Sequence, residues 1–282
     1  MIVFERRASA ILFNLLRALR DPRPFLVPAN VCPIVLQTFK AAGQSFVLVD
    51  ISEPSLEIDA VQCLEHIRSG GFAGLLFARP YGSERDLSPF FVELRSARPD
   101  LLIIDDKCLC MPDCDNESPS PQAHVTLFST GPRKSVDVGG GGFAHLDERV
   151  VYRRAKNAPD WLDLRPPDES WDEYREQVFS EARAMTAHKK ELNAIYSSTI
   201  PAPLQLPFDF QQWRFNIRVP DPDSLIAELF ACGLFAGRHY PPHGEFPVAA
   251  KLHAQIVNLF NDHYFSAEQA RRAAEVVVRF NG

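Results

Sequence analysis

No run of about 18 uninterrupted apolar residues occurs in this 282-residue chain, so no membrane-spanning helix is expected and the membrane drops out as a partner. Positive charge is also short: 30 lysines and arginines face 36 acids, a formal net charge of -6. That balance excludes a broad basic face for nucleic acid, and an anionic small molecule would need a local pocket of donors. Cysteine is sparse and unevenly spread. Cys32, Cys63, Cys108, Cys110, Cys114 and Cys232 form no disulfide scaffold, and a reducing cytoplasm is the expected compartment. The N-terminus loosely imitates a secretion signal, but Asn14, Arg17 and Arg20 interrupt its apolar stretch and no small-residue cleavage site follows.

Several chemical signatures are missing too. There is no H-E-x-x-H and no nucleophile elbow. Gly131-Pro132-Arg133-Lys134-Ser135 resembles the end of a Walker loop, but arginine precedes the lysine and no glycine stands at the required spacing. The four glycines at 139–142 lack the G-x-G-x-x-G form and precede a strand pattern. Cys108, Cys110 and Cys114 lack the C-x2-C knuckle, and His124 is no convincing fourth ligand. No metal is therefore expected, against a competing zinc reading, and free thiols, buried or partly buried, are the expectation there.

What is present is an ordinary globular composition, 46% hydrophobic, with strand and helix patterns in alternation. Strands are expected at 25–27, 45–49, 73–78 and 101–104, with helices at 34–42, 60–67 and 89–97 between them. A polar loop at 113–122 leads to further strands at 124–128 and 141–145. This spacing predicts an α/β fold with a mostly parallel sheet sandwiched by helices, whose ligand sits at the carboxyl ends of the strands. Residues 157–170 read as a Pro- and acid-rich linker, followed by a helix from about 170 to 195. A small C-terminal α/β segment follows, with strands at 213–219 and 256–260 and helices at 223–232 and 266–280, the last opened by a Ser266/Gln269 capping box. The expected division is a large domain at 1–156, linker and connecting helix at 157–200, and a small domain at 201–282.

The chemistry concentrates between Ile103 and Phe143. An apolar strand delivers Asp105-Asp106, and within about thirty residues Lys134 follows between a hydroxyl-bearing turn and the four glycines. This order suits a pyridoxal-phosphate site, in which the lysine forms the Schiff base and an aspartate holds the pyridinium nitrogen. Neighbouring side chains on a strand point to opposite faces, so only one of the two acids should serve. Ser129 offers a hydroxyl at a strand end for the phosphate, and Arg133 is a candidate cation beside the lysine. The cluster Arg238-His239-Tyr240-Pro241-Pro242-His243 could line a substrate entrance or form an ordinary surface loop.

These residues resemble the DegT/StrS-like sugar aminotransferases, pyridoxal-phosphate enzymes of fold type I. The likeness spreads over Leu26 to Pro33, Gly43 to Asp59, Pro80-Tyr81-Gly82, Ile103 to Asp106, the S-x4-K spacing of Ser129 and Lys134, and the glycines after it. It implies a shortened member in which Lys134 carries the cofactor and shuttles a proton, Asp106 takes the pyridinium role and Ser129 the phosphate. Arg7-Ala8-Ser9-Ala10-Ile11 stands where the family has G-[ST]-A-A-L, which makes Ser9 a phosphate ligand at a helix N-terminus. Cys32 stands near the position of the aromatic that stacks on the ring, and Leu109 where the family has His or Gln. The resemblance further implies a homodimer, an amino donor such as glutamate and a keto-sugar or related carbonyl acceptor. The alternative is a degenerate aminotransferase fold that serves as a binding or scaffold partner.

Overall fold

The structure is a computed structural model describing residues 1–281 apart from Glu117, which falls in the expected polar loop at 113–122. Across its main sheet the order is β1 (Ile2–Glu5), β7 (Gly142–Leu146), β6 (Val125–Ser129), β5 (Leu102–Asp106), β4 (Gly74–Ala78), β2 (Phe25–Pro28) and β3 (Phe46–Val49). Strands β2 to β6 pair in parallel, while β7 runs antiparallel to both of its neighbours. The central strands are apolar in succession because both faces are covered. Consecutive residues divide between two cores: Val27, Leu76 and Ile104 pack with α1 (Ala8–Leu19) and α2 (Pro33–Ala42). Leu26, Leu75 and Ile103 pack with α3 (Ala60–Ser69) and α4 (Ser88–Ala97).

Local chemistry sets the helix ends. Asp59 accepts from the amides of Val61 and Gln62 to start α3, and Pro33 opens α2, which closes at Gly43 with φ 73°. The 29-residue α5 (Trp171–Thr199) begins with a capping box between Ser170 and Glu173. Its first half packs Tyr174 and Val178 against Phe128 and Phe143 of the main sheet. Its second half packs Leu192 and Tyr196 on an antiparallel sheet of β8 (Phe215–Arg218), β10 (Ile256–Leu259) and β9 (Ala236–Gly237). Helices α6 (Pro222–Ala231), α7 (Pro247–His253) and α8 (Ala267–Asn281) complete this part, and Ser266 and Gln269 exchange the expected capping hydrogen bonds. A further cluster joins Ile51, Leu56 and Tyr81 of the first half to Phe210, Leu252 and Ile256 of the second.

Four features depart from the sequence reading. β1, β9 and α7 are additional; β9 and α7 span two and seven residues, too short for a periodic pattern to register, and the four-residue β1 lies in the N-terminal stretch that the sequence reading weighs only as a secretion signal. The segment at 157–170 is more than a linker. Leu162 is fully buried in the core under α1, and Arg6 holds the segment through the carbonyl of Pro166 and an ion pair to Asp168. No helix among the described residues is long and apolar enough to cross a membrane.

Candidate functional site

The chain passes from β2 outward to β3 and then crosses to β4 on the other side of β2. The loops at the carboxyl ends of such strands diverge and leave a crevice. A cavity of about 910 Å³ opens there, lined by the ends of β2, β4, β5 and β6. It brings together all five residues singled out from the sequence: Lys134, Asp106, Ser129, Ser9 and Cys32.

The two adjacent acids of β5 separate as alternation requires. Asp105 turns away into a bidentate pair with Arg79, at 2.8 and 2.7 Å, both side chains buried. Asp106 faces the cavity, where the amide of Cys108 donates to it at 3.0 Å. Burial pushes the Asp106 carboxyl up, and the hydrogen bonds from Cys108 and the charge of Lys134 pull it back only in part. Cys110 is a buried and Cys108 a half-buried free thiol, and loss of water around each holds it well above the ordinary thiol range. Among the described residues no group of three potential ligands could hold a metal.

Lys134 lies on the loop between β6 and β7. That loop is held by Thr130, which receives the amide of Val138 at 3.0 Å, and by Ser135, whose hydroxyl donates to the carbonyl of Leu109 at 2.6 Å. Leu109 therefore contributes its backbone to the lysine loop. Arg133 is exposed and adopts φ 68°. Trp213, from the second sheet's side, donates its indole N–H to the Arg133 carbonyl at 2.8 Å.

The glycines have a steric purpose at two positions. A Cβ on Gly142 would meet the amide nitrogen of Ala8 at 2.4 Å, and one on Gly141, with φ 93°, would meet the Tyr174 ring at 2.5 Å. The glycine loop thus lets the start of α1 lie against β7, where the amide of Gly141 donates to the Arg6 carbonyl at 2.8 Å. The first turn of α1 has no side-chain cap and no acid of its own, and its positive end lines the cavity with Ser9. Cys32 is the N-cap of α2, also without a side-chain cap. Tyr240, 40% exposed, lines the cavity together with Cys32.

Sequence reasoning left His239 and Tyr240 undecided between substrate entrance and surface loop, and missed Trp213. His239 and Tyr240 line the cavity. Their loop is clipped to the segment after β2, since His243 bonds the carbonyls of Ala29 through its amide and Val31 through its ring, both at 2.8 Å. His239 Nδ1 is buried without a hydrogen-bond partner, and burial, with the charges of His253 and Lys134, lowers its pKa to about 4. The dense R-H-Y-P-P-H run was the available signal; Trp213 carried none.

No family model matches the chain, and no curated protein does. Solved structures do. A DegT DnrJ EryC1 StrS aminotransferase from Brucella abortus superposes with a TM-score of 0.73 at 15% identity, over 100% of this chain and 86% of that one. DesV from S. venezuelae, in complex with a ketimine intermediate, gives 0.76 at 19%, over 99% and 84%. NtdA from Bacillus subtilis, with bound cofactor PMP, gives 0.74 at 18%, over 99% and 72%. At such identities the likeness establishes the fold: an α/β aminotransferase architecture of fold type I, as the sequence led one to expect.

Proposed function

We propose that this chain is a pyridoxal-phosphate-dependent aminotransferase that moves an amino group from an amino acid such as glutamate to a keto-sugar or related small carbonyl compound. The observation that carries the reading is the meeting of Lys134 and Asp106 in one cavity walled by the uncapped start of α1. The donor set fits the cofactor. The Asp106 carboxyl faces the cavity, and the first turn of α1, which has no side-chain cap, stands on the same wall as Ser9 and Ser129. When bound, pyridoxal phosphate supplies an electron sink for the carbanion formed at the substrate carbon.

The chain's own residues then have defined tasks. Lys134 Nζ would be the group that holds the cofactor covalently and would move a proton as base and acid. Asp106 would face the ring nitrogen, and its carboxylate would favour that nitrogen's protonated form. Ser9 and Ser129 would hold the phosphate, and Cys32 and Tyr240, which line the same cavity, would border the ring. DesV and NtdA, which hold a ketimine intermediate and PMP respectively, lend support through the shared fold. A cytoplasmic homodimer, with the large domain at 1–156, the connecting segment at 157–200 and the small domain at 201–282, completes the reading.

The test is the absorption spectrum of the purified protein with added pyridoxal phosphate. A band toward the visible that disappears in Lys134→Ala is expected. A spectrum that is only the sum of protein and free cofactor at saturation would overturn the reading in favour of a degenerate scaffold.

A further inference from the structure

We propose that Trp213 is a positioning residue for Lys134: its indole N–H clamps the lysine's loop to the C-terminal part of the chain. The role assigned to the clamp rests on the reading of Lys134 as the cofactor lysine; the clamp itself rests on geometry alone.

Arg133 holds a left-handed backbone conformation, φ 68°, without being glycine, a conformation that persists only where its surroundings enforce it. Its carbonyl belongs to the same rigid peptide plane as the amide of Lys134, which donates to Gly131 at 3.2 Å. Fixing that carbonyl fixes the plane from which the lysine side chain departs. Trp213 Nε1 supplies the fixing bond, 2.8 Å long and spanning 80 residues of sequence.

Trp213 is itself immobilised from three directions. Its amide donates to the carbonyl of Tyr81, in the turn after β4, at 3.0 Å. Its carbonyl receives Lys189 Nζ of α5 at 2.8 Å. The guanidinium of Arg214 lies 5.2 Å from its ring and is locked to Asp262 at 2.9 Å. The residue therefore joins the turn after β4, the long helix and the lysine loop at one point. A tryptophan serving only as packing would need none of its N–H geometry. Here the ring is only partly buried and the N–H bond reaches the residue next to Lys134.

Trp213→Phe keeps a ring and removes the donor. In protein without added cofactor, amide hydrogen exchange over residues 130–138 should accelerate roughly 2- to 10-fold, the loss of one net hydrogen bond, while β5 and α8 exchange as before. Affinity for pyridoxal phosphate should fall by at most the same factor, since it follows the fraction of protein with the loop in place. Unchanged exchange at 130–138, with faster exchange confined to 206–217, would mean packing alone and overturn the proposal. A measurement on the unsubstituted protein covers failure of the variant to fold. Of the three indole N–H signals, assigned through Trp161→Phe and Trp171→Phe, that of Trp213 should exchange more slowly than that of the exposed Trp161. Equal rates overturn the clamp. Absence of a cofactor band in the native protein would overturn the cofactor reading and leave the exchange result to decide the clamp.

Discussion

Lys189 is buried in α5 with two uncharged acceptors, the Trp213 carbonyl and Asn261 Oδ1, and burial lowers its pKa to about 7. The folded value lies below the ordinary lysine range, so between pH 7 and about 10 the unfolded chain binds more protons and stability rises with pH; the penalty is complete below 7. Lys189→Met removes this linkage. Urea unfolding at pH 7 and pH 9 should show the wild type gaining about 2 kcal/mol relative to the variant over that interval. The two β5 acids should also respond differently. Arg79→Met strands a buried carboxylate at Asp105 and should cost about 3–5 kcal/mol by denaturant titration. Asp106→Asn removes a buried carboxyl held up by burial, so stability should hold or rise while pyridoxal-phosphate binding weakens. The separation of these acids was legible in the sequence because alternation along a strand is a local property. His239 and Trp213 were not assigned, since their roles arise from contacts with residues far away in the chain.

Strands β2, β4 and β5 and helices α2, α3 and α4 follow from apolar runs, caps and glycine stops that the sequence displays within a few residues of each element. The segment at 157–170 misled because proline and acid content describes a linker and a packed strap equally well; the burial of Leu162 distinguishes them. The glycine loop was noticed, but its purpose depends on α1. Gly142→Ala would place a Cβ 2.4 Å from the Ala8 amide nitrogen, where only backbone can yield. It should lower stability by about 1–3 kcal/mol, seen as a lower melting temperature. It should also weaken cofactor binding, because the displaced part is the helix start proposed to hold the phosphate.

At the scale of the molecule, the main sheet and the C-terminal sheet have separate cores, yet α5 runs through both and a mixed cluster around Tyr81, Phe210 and Leu252 joins them. Heat unfolding should therefore be a single transition in the native protein. Phe210→Ala should lower its midpoint and split calorimetric from van't Hoff enthalpy as the halves uncouple. Architecture was readable because strand–helix alternation admits few arrangements; the substrate was not, because its selection belongs to loops drawn from both halves. The edge strand β1 has one more consequence, which concerns the order of events in folding. Ile2 pairs with His145, and Ala8 packs on Gly142, so the start of α1 has no seat until β7 exists. Closing so long a loop is slow relative to forming neighbouring strand–helix units. The end of α1 that faces the cavity, though early in the chain, is therefore among the last parts of the site to be set in place.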